Sequence, residues 1–449
     1  MYIKRTLEKS IKSMSQFFPV VLVTGPRQVG KTTVLQNCEK KSRMYVSLDT
    51  LEYRELAKQD PALFLQRFPA PALIDEIQYA PELLPYIKAL VDKENKPGMF
   101  WLTGSQQFHL MKNVSESLAG RVGILHLQGL SQDEKDNRAD SAPFLPTAEY
   151  VQSKAAHSPE TDLNRVYERI WKGSYPKLYP ADNSYWEAFY DSYLQTYVER
   201  DIKALSAVGN ELNFVKFMRS LAARTAQLIN YTEIANDVGV TVHTIQSWLS
   251  ILQASGLVYV MQPYSNNVGK RFIKTPKVYF MDTGLACYLT GWKTPQTLEA
   301  GAMSGEMLET YVVSEILKSY WHNGKQPNIY YYRDKDKREI DVLLEQDGIF
   351  CPIEIKKKSN PDSKDIRAFK VLDTIGLERG VGAVICLAST HLPITQDVTA
   401  IPVEYLWNRL FDAISFGDLA NKFPACSLFR VVGNWRNLYW VLVRKTFII

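Results

Sequence analysis

Apolar residues in the first third of this chain come in short runs separated by longer mixed stretches. "VVLVT" (20–24), "RMYVSLD" (43–49), "APALIDEIQYA" (70–80), "GMFWLTGSQ" (98–106) and "RVGILHLQGLS" (121–131) each read as a strand. Helix-length segments lie between most of them, a rhythm that predicts a parallel sheet covered by helices. Ahead of the first strand, Ile3, Leu7, Ile11 and Met14 recur at helical spacing and predict a helix packed by one face on that sheet. The expected fold class is α/β.

Downstream the pattern changes. Residues 136–165 are polar and proline-interrupted and read as a linker or mobile loop. Within 166–215, "SYWEAFYDSYLQTYVERDIKAL" (184–205) spaces aromatic and aliphatic residues as a helix does and suggests a small helical lid, the stripe serving packing rather than a ligand. Residues 230–264 read helix, glycine turn, helix, strand. With "KRFIKTPKVYFMD" (270–282) as a returning strand they suggest a winged helix-turn-helix over 216–295. Its second helix, from about Thr241 to Ser255, has no Lys or Arg, which argues against base reading, whereas Lys270, Arg271, Lys274 and Lys277 on the wing could touch a nucleic-acid backbone. From 296 to 410 an amphipathic helix (305–320) precedes three antiparallel strands (328–333, 338–346 and 348–358), the last two joined by the hairpin pair Asp347-Gly348. No function is read from the tail, 411–449.

Chemistry enters at "VVLVTGPRQVGKTTVL" (20–35). A strand of β-branched residues, a glycine turn and a helix start leave backbone N–H groups pointing into one concavity at the positive end of a helix dipole, a seat for phosphate. Gly25 and Gly30 allow the turn, Lys31 can reach the β- and γ-phosphates, and the Thr32 hydroxyl can ligate Mg²⁺. The run Gly25, Pro26, Arg27, Gln28, Val29, Gly30, Lys31, Thr32 and Thr33 is the expected nucleotide contact, with Arg27 serving the loop's structure or a neighbouring charge. The expected domain is 1–135, and the cofactors are ATP and Mg²⁺. "ALIDEIQ" ends a strand in Asp75, placed to hold the water shell of Mg²⁺, and Glu76, placed to activate the attacking water. "WLTGSQ" brings Thr103, Ser105 and Gln106 to the carboxyl edge of the sheet, where Ser105 or Gln106 would sense the γ-phosphate or position the water. Arg121, in "SLAGR", is the candidate for a guanidinium supplied across a subunit boundary. A strand is expected between the phosphate-loop strand and the one ending in Asp-Glu, as in the P-loop class that has an additional central strand.

These stretches, with "ALIDEIQYAPELL", "LTGSQQFHLM", "RFIKTPKVYFMDTGLACYLTG" and "REIDVLLEQDGIFCPIEIKK", resemble the AAA-type ATPases of bacteria and archaea that carry a conserved C-terminal domain of uncharacterised function. The resemblance runs to about Leu406. It implies an oligomerising P-loop ATPase, a winged-helix middle and a restriction-endonuclease-like C-terminal domain. Asp341 and Glu354 lie thirteen positions apart across the expected hairpin, with Lys356 two beyond Glu354 on the same strand face. Together with Glu306 on the preceding helix they match the Glu, Asp, Glu-x-Lys pattern of the restriction-endonuclease-like superfamily. That implies a metal held by Asp341 and Glu354, with Glu306 a candidate third ligand and Lys356 orienting a water. The tripeptide alone says little, since Glu94-Asn95-Lys96 also fits it.

Composition narrows the picture little further. With 46% apolar and 22% charged residues the chain is globular, and 53 basic against 48 acidic residues leave a net charge of +5, too weak to demand nucleic acid. Cys38, Cys287, Cys351, Cys386 and Cys426 show no metal spacing and read as reduced thiols. Without a signal peptide or a long apolar run, a cytoplasmic, membrane-free protein is expected. The partners expected are ATP, further copies of the chain, and a nucleic acid, DNA before RNA. Two readings stay open: an ATPase coupled to a nuclease-like domain, and a nucleotide-controlled switch or scaffold whose C-terminal domain is inert.

Overall fold

The computed structural model describes residues 2–38, 43–105, 114, 116–139, 141–155, 162–197, 211–265 and 275–406. All of them lie in one compact unit, residues 1–409. Gln106, Lys270, Arg271, Lys274 and the tail 411–449 fall outside the described residues.

Strands β1 (Val20–Thr24), β2 (Met44–Ser47), β3 (Ala72–Asp75), β4 (Phe100–Gly104) and β5 (Val122–His126) form a parallel sheet in the order β2-β3-β4-β1-β5. The strand β4 does intervene between β1 and β3. Alternation along β1 divides its apolar side chains between two cores: Val21 and Val23 pack with Leu7 and Ile11 of α1 (Leu7–Phe17) and with Val34 and Leu35 of α2 (Lys31–Cys38), whereas Val20 and Leu22 join Phe64, Ile74 and Ile87 on the other face. Because every strand runs the same way, the β1, β3 and β4 carboxyl ends meet at one edge.

The segment 136–165 is not a free linker where it is described. Residues 148–155 are helical, Phe144 and Val151 are buried, and Lys154 is buried against Asp133 at 3.3 Å. Its polar composition hides these few apolar anchors, and Phe144 is further tied by its N–H and carbonyl to Ser319 and Tyr320.

Helices α3 (Leu163–Lys172) and α4 (Trp186–Tyr197) bury the aromatic stripe as core, with Trp186 stacked on Trp171 at 4.5 Å between ring centroids and Tyr193 against Tyr175 at 4.8 Å. Next, α5 (Tyr231–Val238) ends at Gly239, whose φ of 79° permits the turn into α6 (Val242–Ala254), capped by Thr241. A three-stranded sheet follows, ordered β6 (Gln227–Leu228), β8 (Lys277–Phe280), β7 (Val258–Met261). Its Lys277 is not a surface charge: it is buried.

Helices α7 (Thr283–Thr290) and α8 (Ser304–Trp321) lead into a seven-stranded mixed sheet. Strands β9 (Asn328–Arg333), β10 (Glu339–Gln346) and β11 (Ile349–Lys356) are antiparallel, and the turn residues Asp347 and Gly348 take φ of 54° and 84°. Beyond β11 lie β12 (Glu378–Arg379) and β13 (Gly382–Cys386) in parallel pairing, then β14 (Leu392–Pro393) and β15 (Val398–Pro402). Tyr264 and Gln262 hydrogen-bond to Tyr331, fastening the end of β7 to β9. No helix among the described residues is long and apolar enough to cross a membrane.

Candidate functional site

At the carboxyl end of β1 the chain turns through Gly25, at φ 149°, so close to β5 that a Cβ there would stand 1.9 Å from the Leu127 carbonyl oxygen. Gln28 and Gly30 also take positive φ, 62° and 92°, which folds the loop back over the start of α2. The Lys31 side chain lies buried along this loop, its Nζ donating to the carbonyls of Gly25 (3.0 Å) and Pro26 (2.8 Å). The Thr32 hydroxyl donates to Asp75 Oδ1 at 2.6 Å, bringing together a hydroxyl and a carboxylate of the hard-oxygen kind that suits Mg²⁺. Thr103 donates to the same oxygen at 2.5 Å, and Tyr45 and Ser47 reach Oδ2 at 3.4 Å. The Asp75 carboxylate is thereby oriented from β2, β4 and the start of α2.

Glu76 follows in the left-handed region at φ 58°, a costly conformation for a non-glycine residue, held by its N–H donating to Thr103 Oγ1 at 3.0 Å. Its carboxylate accepts from Ser105 Oγ at 3.2 Å and from the Gln78 amide. Val29 is buried, Arg27 reaches the Tyr79 hydroxyl at 3.3 Å, and Thr33 is exposed. Arg121 is elsewhere. It pairs with Asp92 (Nη2 to Oδ2, 3.0 Å), and its carbonyl accepts from Val20, which puts it at the amino edge of the sheet. A strand of five residues separates it from its own phosphate loop, roughly 15 Å at the ordinary rise per residue.

A second cluster gathers where β8, α8, β10 and β11 meet. The Lys277 ammonium lies 2.6 Å from Glu339, 3.1 Å from Glu309 and 3.9 Å from Asp341. Lys356 lies 2.8 Å from Glu354 and 3.5 Å from Asp341, the Ile355 N–H donates to Asp341 at 2.9 Å, and the Tyr279 hydroxyl donates to Glu309 at 2.7 Å. Burial, then the Asp341 charge, pushes Glu309 up to about 7 despite Lys277. Burial and the Asp341 charge also raise Glu354, while Asp341, despite its own burial, is held low by the hydrogen bond to Glu354 and by both lysines. Between them these two carboxyls favour sharing one proton.

Three sequence profiles match the chain: an AAA domain over residues 18–135, a domain of unknown function (DUF8612) over 163–296, and another (DUF4143) over 304–406. The uncharacterised protein Rv2008c of Mycobacterium tuberculosis is 30% identical over 394 residues, which span 86% of this chain and 81% of that one, and Mb2031c of Mycobacterium bovis matches identically. The chain belongs to this family of AAA-domain proteins carrying a DUF4143 domain. Among solved structures, the Walker-type ATPase of Pyrococcus abyssi aligns at 14% identity with a TM-score of 0.36, covering 64% of this chain and 96% of that one. RuvB of Thermotoga maritima aligns at 17% and 0.25, covering 60% and 93%. Scores this low carry no weight, and membership rests on the sequence matches.

For this family member, the phosphate-loop residues converge where the sequence puts them, with Asp75, Glu76 and Ser105 alongside. Gln78 was missed; its only signal is a position two residues past Glu76. In the second cluster Glu306 is displaced by Glu309. They lie about one turn apart along the same face of α8; the described contacts bring Glu309 to Lys277 and Tyr279, while the Glu306 charge bears on Tyr167. Lys277 and Glu339 were also missed as members, since nothing local marks them. The metal implied for Asp341 and Glu354 does not fit this arrangement: the Lys356 ammonium already lies against Glu354 and Asp341, and Lys277 stands 3.9 Å from Asp341 on its other oxygen.

Proposed function

We propose that this chain binds ATP with Mg²⁺ and hydrolyses it. The observation that carries the reading is the Thr32–Asp75 contact beside Glu76, directly behind a loop whose lysine donates to the loop's own Gly25 and Pro26 carbonyls. The Lys31 ammonium exchanges those carbonyls for the β- and γ-phosphate oxygens, and the loop N–H groups take the remaining phosphate charge. Thr32 and Asp75 would hold Mg²⁺, which when bound neutralises charge on the phosphates. Glu76 takes a proton from the attacking water, and Ser105 and Gln78 keep its carboxylate turned toward that water. Arg121, at the amino edge, serves only a neighbouring copy, which makes the working form an oligomer.

Removing a general base costs about 10² to 10⁴ in rate. Glu76→Gln is therefore expected to bind ATP in calorimetry yet turn over at least about a hundredfold more slowly, and Lys31→Ala to lose binding. Equal phosphate release by wild type and Glu76→Gln would remove the assigned base.

A specific contact favours adding the switch reading to this one. Arg5 donates to the Val29 carbonyl in the loop (2.7 Å) and to the Gln128 carbonyl (2.7 Å), and its Nε lies 3.0 Å from buried Glu134, which also contacts His322 at the end of α8. Nucleotide state at the loop is thus tied to the C-terminal domain through two side-chain contacts.

A further inference from the structure

The carboxylates of the second cluster come from three elements: Glu309 from α8, Glu339 and Asp341 from β10, and Glu354 from β11. Four acidic groups so close repel one another strongly unless cations lie among them. One cation, Lys356, is native to the same hairpin and half exposed, with 38% of its side chain accessible. The other, Lys277, arrives from the separate three-stranded sheet, and only 4% of its side chain is accessible. Its ammonium lies 5.7 Å from the centre of the Tyr331 ring and ends among carboxylates of two different elements. A buried lysine costs several kcal/mol to desolvate unless it is paired, so the arrangement is stable only while the lysine and the acids meet.

We propose that Lys277 is a built-in counter-cation: its ammonium takes the place a divalent ion would need between Glu309, Glu339 and Asp341, so that seating β8 against the C-terminal sheet keeps this acidic pocket free of metal. An ammonium seated among these oxygens competes with a divalent ion for them and adds a like charge beside it. A divalent ion has hard-oxygen ligands waiting, but it must first displace a charge covalently fixed to the chain at high effective concentration. The inference stands apart from the ATPase reading, because none of these residues touches the phosphate loop in the contacts described.

The test is titration of nucleotide-free, full-length protein with Mn²⁺, followed by electron paramagnetic resonance. Tyrosine-sensitised Tb³⁺ luminescence provides a local probe, since Tyr279 and Tyr331 border the pocket. Wild type is expected to show no saturable site that Asp341→Asn removes. Lys277→Met is expected to gain one, at least about tenfold tighter than any wild-type binding, and to lose it again when Asp341→Asn is added. Lys277→Arg, which keeps the cation, should stay closed. Saturable wild-type binding abolished by Asp341→Asn overturns the proposal, and that arm stands even if Lys277→Met does not fold. A folded Lys277→Met with no gain overturns it equally.

Discussion

Gly25 shows how little freedom a phosphate loop leaves at single positions. An added methyl group would meet the Leu127 carbonyl at 1.9 Å, and that oxygen belongs to the backbone following β5, which has no side-chain freedom with which to yield. Gly25→Ala should therefore abolish ATP binding by calorimetry even where circular dichroism reports a folded chain. Glu134 is a different residue-scale case. Burial alone would raise its carboxyl, but Arg5, His322 and the Ser131 N–H outweigh that and hold it below the ordinary 4.5. Because the folded value lies below the unfolded one, the stability it contributes is complete above about pH 4.5 and is lost as pH falls below that. In urea titrations from pH 7 to 3, Glu134→Gln should show a shallower acid loss than wild type. At neutral pH it should be about 3–5 kcal/mol less stable, since Arg5 is left buried with its carboxylate gone.

At the scale of elements, periodicity and turn chemistry carried most of the information. The strand runs of the first sheet, the β4 insertion, the Asp347-Gly348 hairpin and the Gly239 turn are all legible because each depends on residues within a few positions. Residues 141–155 were misread for the opposite reason: a polar stretch becomes a packed strap through Phe144 and Val151, whose partners lie on distant α8 and in the common core. Truncating Phe144 to Ala is expected to cost about 3–5 kcal/mol in chemical denaturation, where a linker residue would cost almost nothing. Glu306 and Glu309 mark the limit within one helix. Both are acidic and one turn apart on one face, and only where α8 lies along β8 selects between them.

For the whole molecule, the placement of Arg121 matters most. It lies at the edge of the sheet opposite its own phosphate loop, so any catalytic use of its guanidinium requires a second copy. Glu76→Gln and Arg121→Ala are each expected to turn over slowly alone. Mixed, they should recover activity, because one kind of interface then combines an intact base with an intact arginine. Absence of recovery in a phosphate-release assay would leave Arg121 as the partner of Asp92 and nothing more.

The sequence alone determined the phosphate loop, the Asp75-Glu76 strand end and the antiparallel hairpin carrying Asp341, Glu354 and Lys356. Each is a local pattern in which backbone conformation, spacing and side-chain type are coupled over fewer than about twenty residues. Only the tertiary structure decided that Arg121 faces away from its loop, that Glu309 replaces Glu306, and that Lys277 is buried among acids it is remote from in sequence. Those outcomes depend on how sheets and helices far apart in the chain are set against one another, and packing of that kind leaves no periodic trace in the residues it brings together.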